Sequence, residues 1–375
     1  MRFDTDHIVF GPDDVDLCRS PLRPSLDALG AETFVLGAFN PALTRLPSGN
    51  LAMLVRVAEA LNSSIQDNAA RMIRWAKGGY VIDAYGLDQL DLSDPRTLKL
   101  RTHFYPTMGL TSLSWILPVE LSPDGRRVIA VHYDKAIAPS ATYQEYGIED
   151  ARVSLIDGVY YMTVCSVSAE RHGTTLYISR NGLDYEPRGL VLDHQNKDML
   201  FFEGRIGGQF WALTRPLGSL YFLYPPDSVF HAGPSINLAT SPDGLHWKPS
   251  DAPFIRPRKD RATALKVGGG AQPIGTPRGW LILYHGVEPQ GAVGIYRTFW
   301  ALADENNPAL LLRNEDQTPL LECNPRLSQH LDDKRYLHNV VFTTGIVDAG
   351  DHYIVASGED DLACRITHIS KSTFD

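Results

Sequence analysis

Two acids and a base stand together in the segment "GIEDARV", where Glu149, Asp150 and Arg152 lead into an apolar run. Charges at the mouth of a buried sheet are costly unless they are paired or used. Other polar groups recur at comparable places. Asn40 lies in "GAFNPAL", and Arg56 ends the strand-like stretch "SGNLAMLVR". "HQNKDMLFFEGR" holds Lys197, Asp198 and Glu203, and the following apolar stretch ends in Arg215. Lys266 precedes "VGGGAQP", the next stretch ends in Tyr284-His285-Gly286, and "GEDD" carries Glu359, Asp360 and Asp361.

Taken singly, these residues have ordinary uses. A strand-end Arg is commonly a surface ion pair worth little, and an Asp is commonly a turn cap. Taken together they describe a chemistry. Lys197, Arg215, Lys266 and His285 are four cation-capable groups; facing one point, they would form an anion site. Phosphate is the natural anion, because Arg offers it paired donors. Glycoside hydrolysis usually takes two carboxylates. In phosphorolysis the phosphate is itself the nucleophile, so one carboxylic acid suffices to protonate the departing oxygen. One central acid and a cationic cluster are what a glycoside phosphorylase requires.

The elements that must position these groups repeat. A Gly-containing turn followed by an apolar, aromatic strand occurs as "SGNLAMLVR", "DGVYYMTVCS", "GGQFWALTRP", "RGWLILYHGV" and "AGDHYIVASG". A second unit, "ISRNGLDYEP" and "TSPDGLHWKP", joins a strand end to a polar-Gly-Leu turn and an aromatic; "LSPDGRRV" is a weaker copy. Short strands between turns predict an all-β protein, and this recurrence predicts a five-bladed β-propeller with blades of roughly 70 residues. A pair of β-sandwiches is the structural alternative. With no low-complexity linker, residues 1–375 are expected to be one domain, with residues 1–30 an N-terminal arm. Strand ends of such a fold converge on a central channel.

Composition excludes several classes. The 375 residues are 43% hydrophobic and 21% charged, with a formal charge of -9. There is no basic stripe for nucleic acid. No apolar run approaches the ~20 residues of a membrane span. The acidic start "MRFDTDHIVFGPDD" is unlike a signal peptide. Cys18, Cys165, Cys323 and Cys364 are scattered, as expected of reduced thiols in a cytoplasmic protein. The twelve His residues show no metal-ligand spacing, and the common nucleotide-binding and hydrolase motifs are absent.

Several blocks, in order, resemble glycoside hydrolase family 130, the β-mannoside phosphorylases and β-mannosidases. They are "FNPALTRLPSGNLAMLVR", "EDARVSLIDGVYYMT", "NKDMLFFEGRIGGQFWALTRP", "ALKVGGGAQPIGTPRGWLILYHGV" and, less closely, "SGEDD", within residues 36–361. The 19-residue interval from Lys266 to His285 is similar to the family's. The resemblance implies a five-bladed propeller that cleaves a β-1,2- or β-1,4-linked mannoside with inorganic phosphate. Inversion would give α-mannose 1-phosphate and a shortened acceptor. It implies Asp150 as the catalytic acid, in some members acting through a sugar hydroxyl. Lys197, Arg215, Lys266 and His285 would bind phosphate. Asn40, Arg56 and Asp361 would hold the mannosyl unit. Asp198 and Arg152 are placed with this substrate group, Arg152 to orient or balance Asp150.

Three positions depart from the family. Ala151 replaces a proline, and Pro41 replaces a small polar residue found in some members. Lys197 stands where some members carry Arg, keeping the charge without the fork. The alternatives are a β-mannosidase, with Glu149, Glu203 or Glu288 as base, and a non-catalytic carbohydrate-binding propeller. Tyr105, Trp115, Tyr143, Tyr146, Tyr221 and Tyr224 are candidates for stacking on sugar rings. The loops 61–80 and 215–235 are expected to set linkage and acceptor. No metal, organic cofactor, nucleic acid or membrane is implied. Family members often associate, which leaves a homo-oligomer open.

Overall fold

The computed structural model describes residues 3, 5–101, 104–218 and 220–375. The chain is all-β. Five sheets follow one another along it, and in the first four of them the strands pair in chain order.

The first sheet joins Thr33–Arg45, Leu51–Leu61, Leu113–Leu121 and Val128–Val131. The second joins Ile148–Ile156, Val159–Val167, His172–Ser179 and Glu186–Leu192. The third joins Asn196–Phe201, Phe210–Pro216, Ile236–Ser241 and Lys248–Ile255. The fourth joins Lys266–Gly269, Gly279–Glu288, Ile295–Ala303 and Leu311–Glu315, with Ile274–Thr276 also pairing with Gly279–Glu288. The fifth joins Val341–Asp348, His352–Glu359 and Ala363–Ser370, and its outer strand is the N-terminal Thr5–Phe10. Residues 5–10, within the expected arm, thus pair with the last strand. Arg365 secures the joint, donating to Asp6 at 2.7 Å and to Glu359 at 3.0 Å.

Each of the five repeated sequence units forms the second strand of its sheet. Local chemistry explains the hairpins. Asp157 and Gly158 have φ of 50° and 72° and join Ile156 to Val159, the left-handed pair that a two-residue hairpin turn needs. The polar-Gly-Leu turns are also built alike. Asn181 Oδ1 accepts from the N–H groups of Leu183 and Asp184, and Asp243 Oδ1 from those of Leu245 and His246. These side chains imitate a backbone turn.

The leading strands pack on one another. Thr33–Arg45 contacts Ile148–Ile156 and Val341–Asp348, Ile148–Ile156 contacts Asn196–Phe201, and Asn196–Phe201 contacts Lys266–Gly269. Side chains stitch neighbouring sheets together: Ser154 Oγ donates to the Phe201 carbonyl at 2.8 Å and Thr344 Oγ1 to the Pro41 carbonyl at 2.9 Å. Apolar side chains fill the space between sheets, with Leu200, Leu213, Ile282, Tyr284 and Phe299 in one cluster.

Between the second and third strands of the first sheet lies an insertion. It folds as two small sheets, Ile65–Gln66 with Ala69–Ala76 and Gly79–Gly86, and Leu90–Asp91 with Thr97–Leu100 and Met108–Leu110. This explains the long interval between the first and second repeat units. No helix of the described residues is long and apolar enough to cross a membrane.

Candidate active site

Three leading strands carry the same irregularity. Register shifts fall between Phe39 and Ala42, between Glu149 and Arg152, and between Lys197 and Leu200. Within them Asn40, Asp150 and Asp198 have φ of 48°, 52° and 52°. A bulge adds a residue and re-aims its side chain. Asn and Asp are the side-chain-bearing residues that best tolerate the left-handed conformation. So the fold places one short polar side chain from each of three sheets at a common centre.

That centre is a cavity of about 340 Å³. Of the residues singled out from the sequence, Asn40, Arg56, Glu149, Asp150, Lys197, Asp198, Arg215, Lys266 and Asp361 line it. Arg152 and His285 do not; they stand behind its wall.

Asp150 is held on one side only. Its Oδ1 accepts from Asn40 Nδ2 and from Arg56 Nη1, each at 2.9 Å. Oδ2 makes no hydrogen bond among the described residues, so it is free for a proton or a ligand. Burial pushes the carboxyl up, but Arg56, Arg152 and Lys197 outweigh it and hold Asp150 below the usual carboxylate range. Arg56 also donates to Glu149 Oε1 at 2.9 Å, and Lys197 Nζ to Glu149 Oε2 at 3.0 Å. Glu149 is therefore tied on both oxygens, and despite its burial these cations hold it low as well.

The cationic side of the cavity is built around Asp198. Arg215 Nε lies 2.9 Å from its Oδ2, and Arg152 Nη2 lies 3.5 Å from its Oδ1. Arg152 also donates to the backbone carbonyls of Gly270 and Asp150 at 2.7 and 2.6 Å. It is fully buried and braces the bulge that carries Asp150; its polar contacts are with backbone and Asp198, and its guanidinium lies 5.3 Å from the centre of the Phe342 ring. Arg215 Nη1 lies 3.2 Å from His285 Nε2. Burial, then Arg215, Lys266 and Arg152, push His285 well below its ordinary range. A neutral imidazole accepts from Arg215 there; His285 positions a cation and does not add a charge. Lys266 has no carboxylate within ion-pair distance among the described residues. Its ammonium lies 5.0 Å from the centre of the Tyr296 ring, and burial lowers its pKa.

The Gly-rich run gains a reason. A Cβ on Gly268 would lie 2.4 Å from both Asp198 Oδ2 and His285 Cε1, and one on Gly270 would lie 2.7 Å from the Leu283 carbonyl. Only glycine lets this strand approach the cluster.

Other sequence candidates lie elsewhere. Glu203 and Glu288 do not line the cavity; Glu288 pairs with Arg297 at 2.6 Å. None of the six aromatics proposed for stacking lines it. Trp115 is buried with its indole N–H on Glu59 at 3.1 Å, and Tyr105 is 76% exposed. Phe39, Tyr296, Tyr336 and Phe342 line it instead, with His172 and Arg96. Of the two loops expected to set specificity, the first contributes nothing within 61–80. The insertion reaches the cavity through Arg96, Thr97 and the 108–112 stretch, and the second loop through Arg215, Leu217 and Pro234. Tyr296 follows His285 by eleven residues on the next strand, and a period-two reading of that strand could have found it. Arg96 lies outside every repeat and left no such signal.

The family model for glycoside hydrolase family 130, described as beta-1,4-mannooligosaccharide phosphorylase, matches residues 102–373. The chain belongs to glycoside hydrolase family 130. Relatives of this family 130 chain include a beta-1,2-mannobiose phosphorylase of Listeria innocua serovar 6a, 30% identical over 324 residues and 84% of each chain. A 1,2-beta-oligomannan phosphorylase of Thermoanaerobacter sp. strain X514 is 30% identical over 247 residues, 64% of this chain and 74% of that one. The solved structure of a Listeria innocua beta-1,2-mannobiose phosphorylase in complex with beta-1,2-mannobiose superposes with a TM-score of 0.78. It covers 98% of both chains at 26% identity.

Proposed function

We propose that this family 130 enzyme phosphorolyses β-mannosides and that the linkage it cleaves is β-1,2. The activity of the relatives supports phosphorolysis, and the substrates they are named for support that linkage over β-1,4. The five sheets are read as the blades of a single-domain five-bladed propeller. The packing of leading strands in chain order and the N-terminal strand completing the last sheet support this.

In this reading phosphate sits against Lys266, Arg215 and Lys197, with His285 steadying Arg215. The mannosyl unit lies against Asn40, Arg56 and Asp361. Phosphate attacks the anomeric carbon in line, the glycosidic bond breaks, and its electron pair leaves on the acceptor oxygen, which takes a proton from Asp150 directly or through a sugar hydroxyl. The products are α-mannose 1-phosphate and the shortened acceptor. Asp150 is ionised in the free enzyme, so it must gain its proton with the substrates. A bound phosphate dianion offsets Lys197 and its neighbours, which raises the proton affinity of Asp150. The reaction is read as needing no metal or organic cofactor, and the four free cysteines support a cytoplasmic setting.

The observation that carries phosphorolysis over hydrolysis is the state of the acids. Glu149, the only one of the three glutamates considered as bases that lines the cavity, is tied on both oxygens, while Lys266 has no carboxylate partner among the described residues. None of those three glutamates stands free beside Asp150 to activate water, whereas an anion has a seat at Lys266. The test is incubation with β-1,2- and β-1,4-mannobiose, with and without phosphate. Phosphate-dependent mannose 1-phosphate from the β-1,2 substrate is expected. Free mannose formed equally without phosphate would overturn the reading.

A further inference from the structure

One guanidinium in the cavity belongs to none of the recurring strand ends. Arg96 comes from the insertion in the first sheet and shares the cavity wall with Asp361 of the fifth. It is fixed from several directions. Its Nε and Nη2 donate to the two oxygens of Asp94 at 3.0 and 2.9 Å, and its backbone N–H donates to Asp94 Oδ1 at 3.0 Å. Its carbonyl accepts from the Thr111 N–H at 3.1 Å. Asp94 therefore occupies one edge of the fork. The other nitrogen, Nη1, has no acceptor among the described residues.

The Asp361 carboxylate is also without a hydrogen-bond partner among the described residues. Only its backbone carbonyl is engaged, by Tyr336 Oη at 3.2 Å. Burial pushes this carboxyl up to about 6, and Arg96 is the strongest charge opposing the rise, ahead of Arg56. Yet no ion pair within 4.0 Å joins Arg96 to Asp361. A pre-oriented donor and an open acceptor feel each other across a gap without touching. A hydroxyl fits that gap chemically, donating to the carboxylate and accepting from the guanidinium. A phosphate does not, because it would place its charge against Asp361.

We propose that Arg96, clamped by Asp94, acts with Asp361 to hold a hydroxyl of the terminal mannosyl unit, making the insertion a determinant of which sugar is accepted. This rests on the sugar assignment made above. Asp94 is the positioning residue, since its carboxylate hydrogen-bonds only to Arg96 among the described residues.

The test compares wild type with Arg96→Met, Arg96→Lys and Asp94→Asn on β-1,2-mannobiose and on analogues lacking one hydroxyl of the non-reducing unit at a time. Arg96→Met is expected to lower kcat/KM about 10- to 100-fold, the worth of a hydrogen bond to a charged group. The phosphate KM should stay within about twofold. On one deoxy analogue the two enzymes should be equal. Arg96→Lys should recover part of the loss, and Asp94→Asn should lose part of the activity with the same analogue dependence. Equal loss on every analogue, a change confined to phosphate KM, or no loss would overturn the proposal. Should Arg96→Met fail to fold, Arg96→Lys decides by the same comparison. If the wild type releases mannose without phosphate, the phosphorylase reading fails, while the analogue panel still tests Arg96, because either reaction must hold the terminal sugar.

Discussion

Glu149 and Lys197 form an ion pair inside the cavity, Oε2 to Nζ at 3.0 Å, beside the carboxylate of Asp150. The pair answers why acids stand at the mouth of this sheet. Glu149 is the counter-ion that lets Arg56 and Lys197 remain charged while largely buried, and Asp150 keeps one oxygen open.

Replacing Glu149 by Gln should therefore cost stability more than chemistry. Two buried cations lose a partner, at about 3 kcal/mol, read by denaturant melting. Phosphate-dependent turnover should persist, with phosphate KM unchanged or lower because a nearby negative charge is gone. Loss of all turnover in a folded Glu149→Gln protein would instead make Glu149 a reacting group.

Asp150→Asn keeps the acceptor for Asn40 and Arg56 but cannot carry the proton. It should lower kcat by about 10²- to 10⁴-fold, the range for a general acid, with little change in melting temperature. Calorimetry in buffers of different ionisation enthalpy should show proton uptake when phosphate binds wild type, and less in Asp150→Asn. Uptake equal in the two proteins would place the proton elsewhere.

Gly268→Ala should disturb Asp198 and His285 together, since its Cβ would lie 2.4 Å from both. Overpacking of this kind costs about 1–3 kcal/mol. Because Asp198 orients Arg215, phosphate KM should rise several-fold. Gly275→Ala, whose nearest neighbour would be Trp280 at 3.9 Å, should change neither.

The pH dependence of stability should carry the mark of Glu203. Burial pushes its carboxyl up to about 7. The protonated form is favoured in the folded chain, so its contribution is full below the unfolded value near 4.5 and is lost as pH rises through about 7. Glu203→Gln should melt higher than wild type at pH 8, with the difference shrinking toward pH 5. A difference independent of pH would exclude Glu203 as the source.

Much of this was legible because the repeat puts chemistry at fixed places. The turn-strand units mark the second strand of each of the five sheets that follow one another along the chain, and the Asp157-Gly158 turn announces its own hairpin. Asn40, Asp150 and Asp198 are legible as polar groups at comparable places of the repeat, although their shared bulge is a backbone property that no side-chain pattern reports. His285 reads as a cation from its type, but burial among three cations makes it neutral, and that requires knowing its neighbours. Arg152 looks like a site residue beside Asp150, yet period-two alternation combined with the bulge turns it toward the carbonyls of Gly269 and Gly270. Arg96 was illegible because the insertion repeats nothing.

The most direct measurement of the central claim is a time course by ¹H and ³¹P NMR on β-1,2-mannobiose with inorganic phosphate. The account predicts one α-mannose 1-phosphate and one mannose for each disaccharide consumed, with no reaction when phosphate is withheld. Two mannoses per disaccharide at a rate indifferent to phosphate would contradict it.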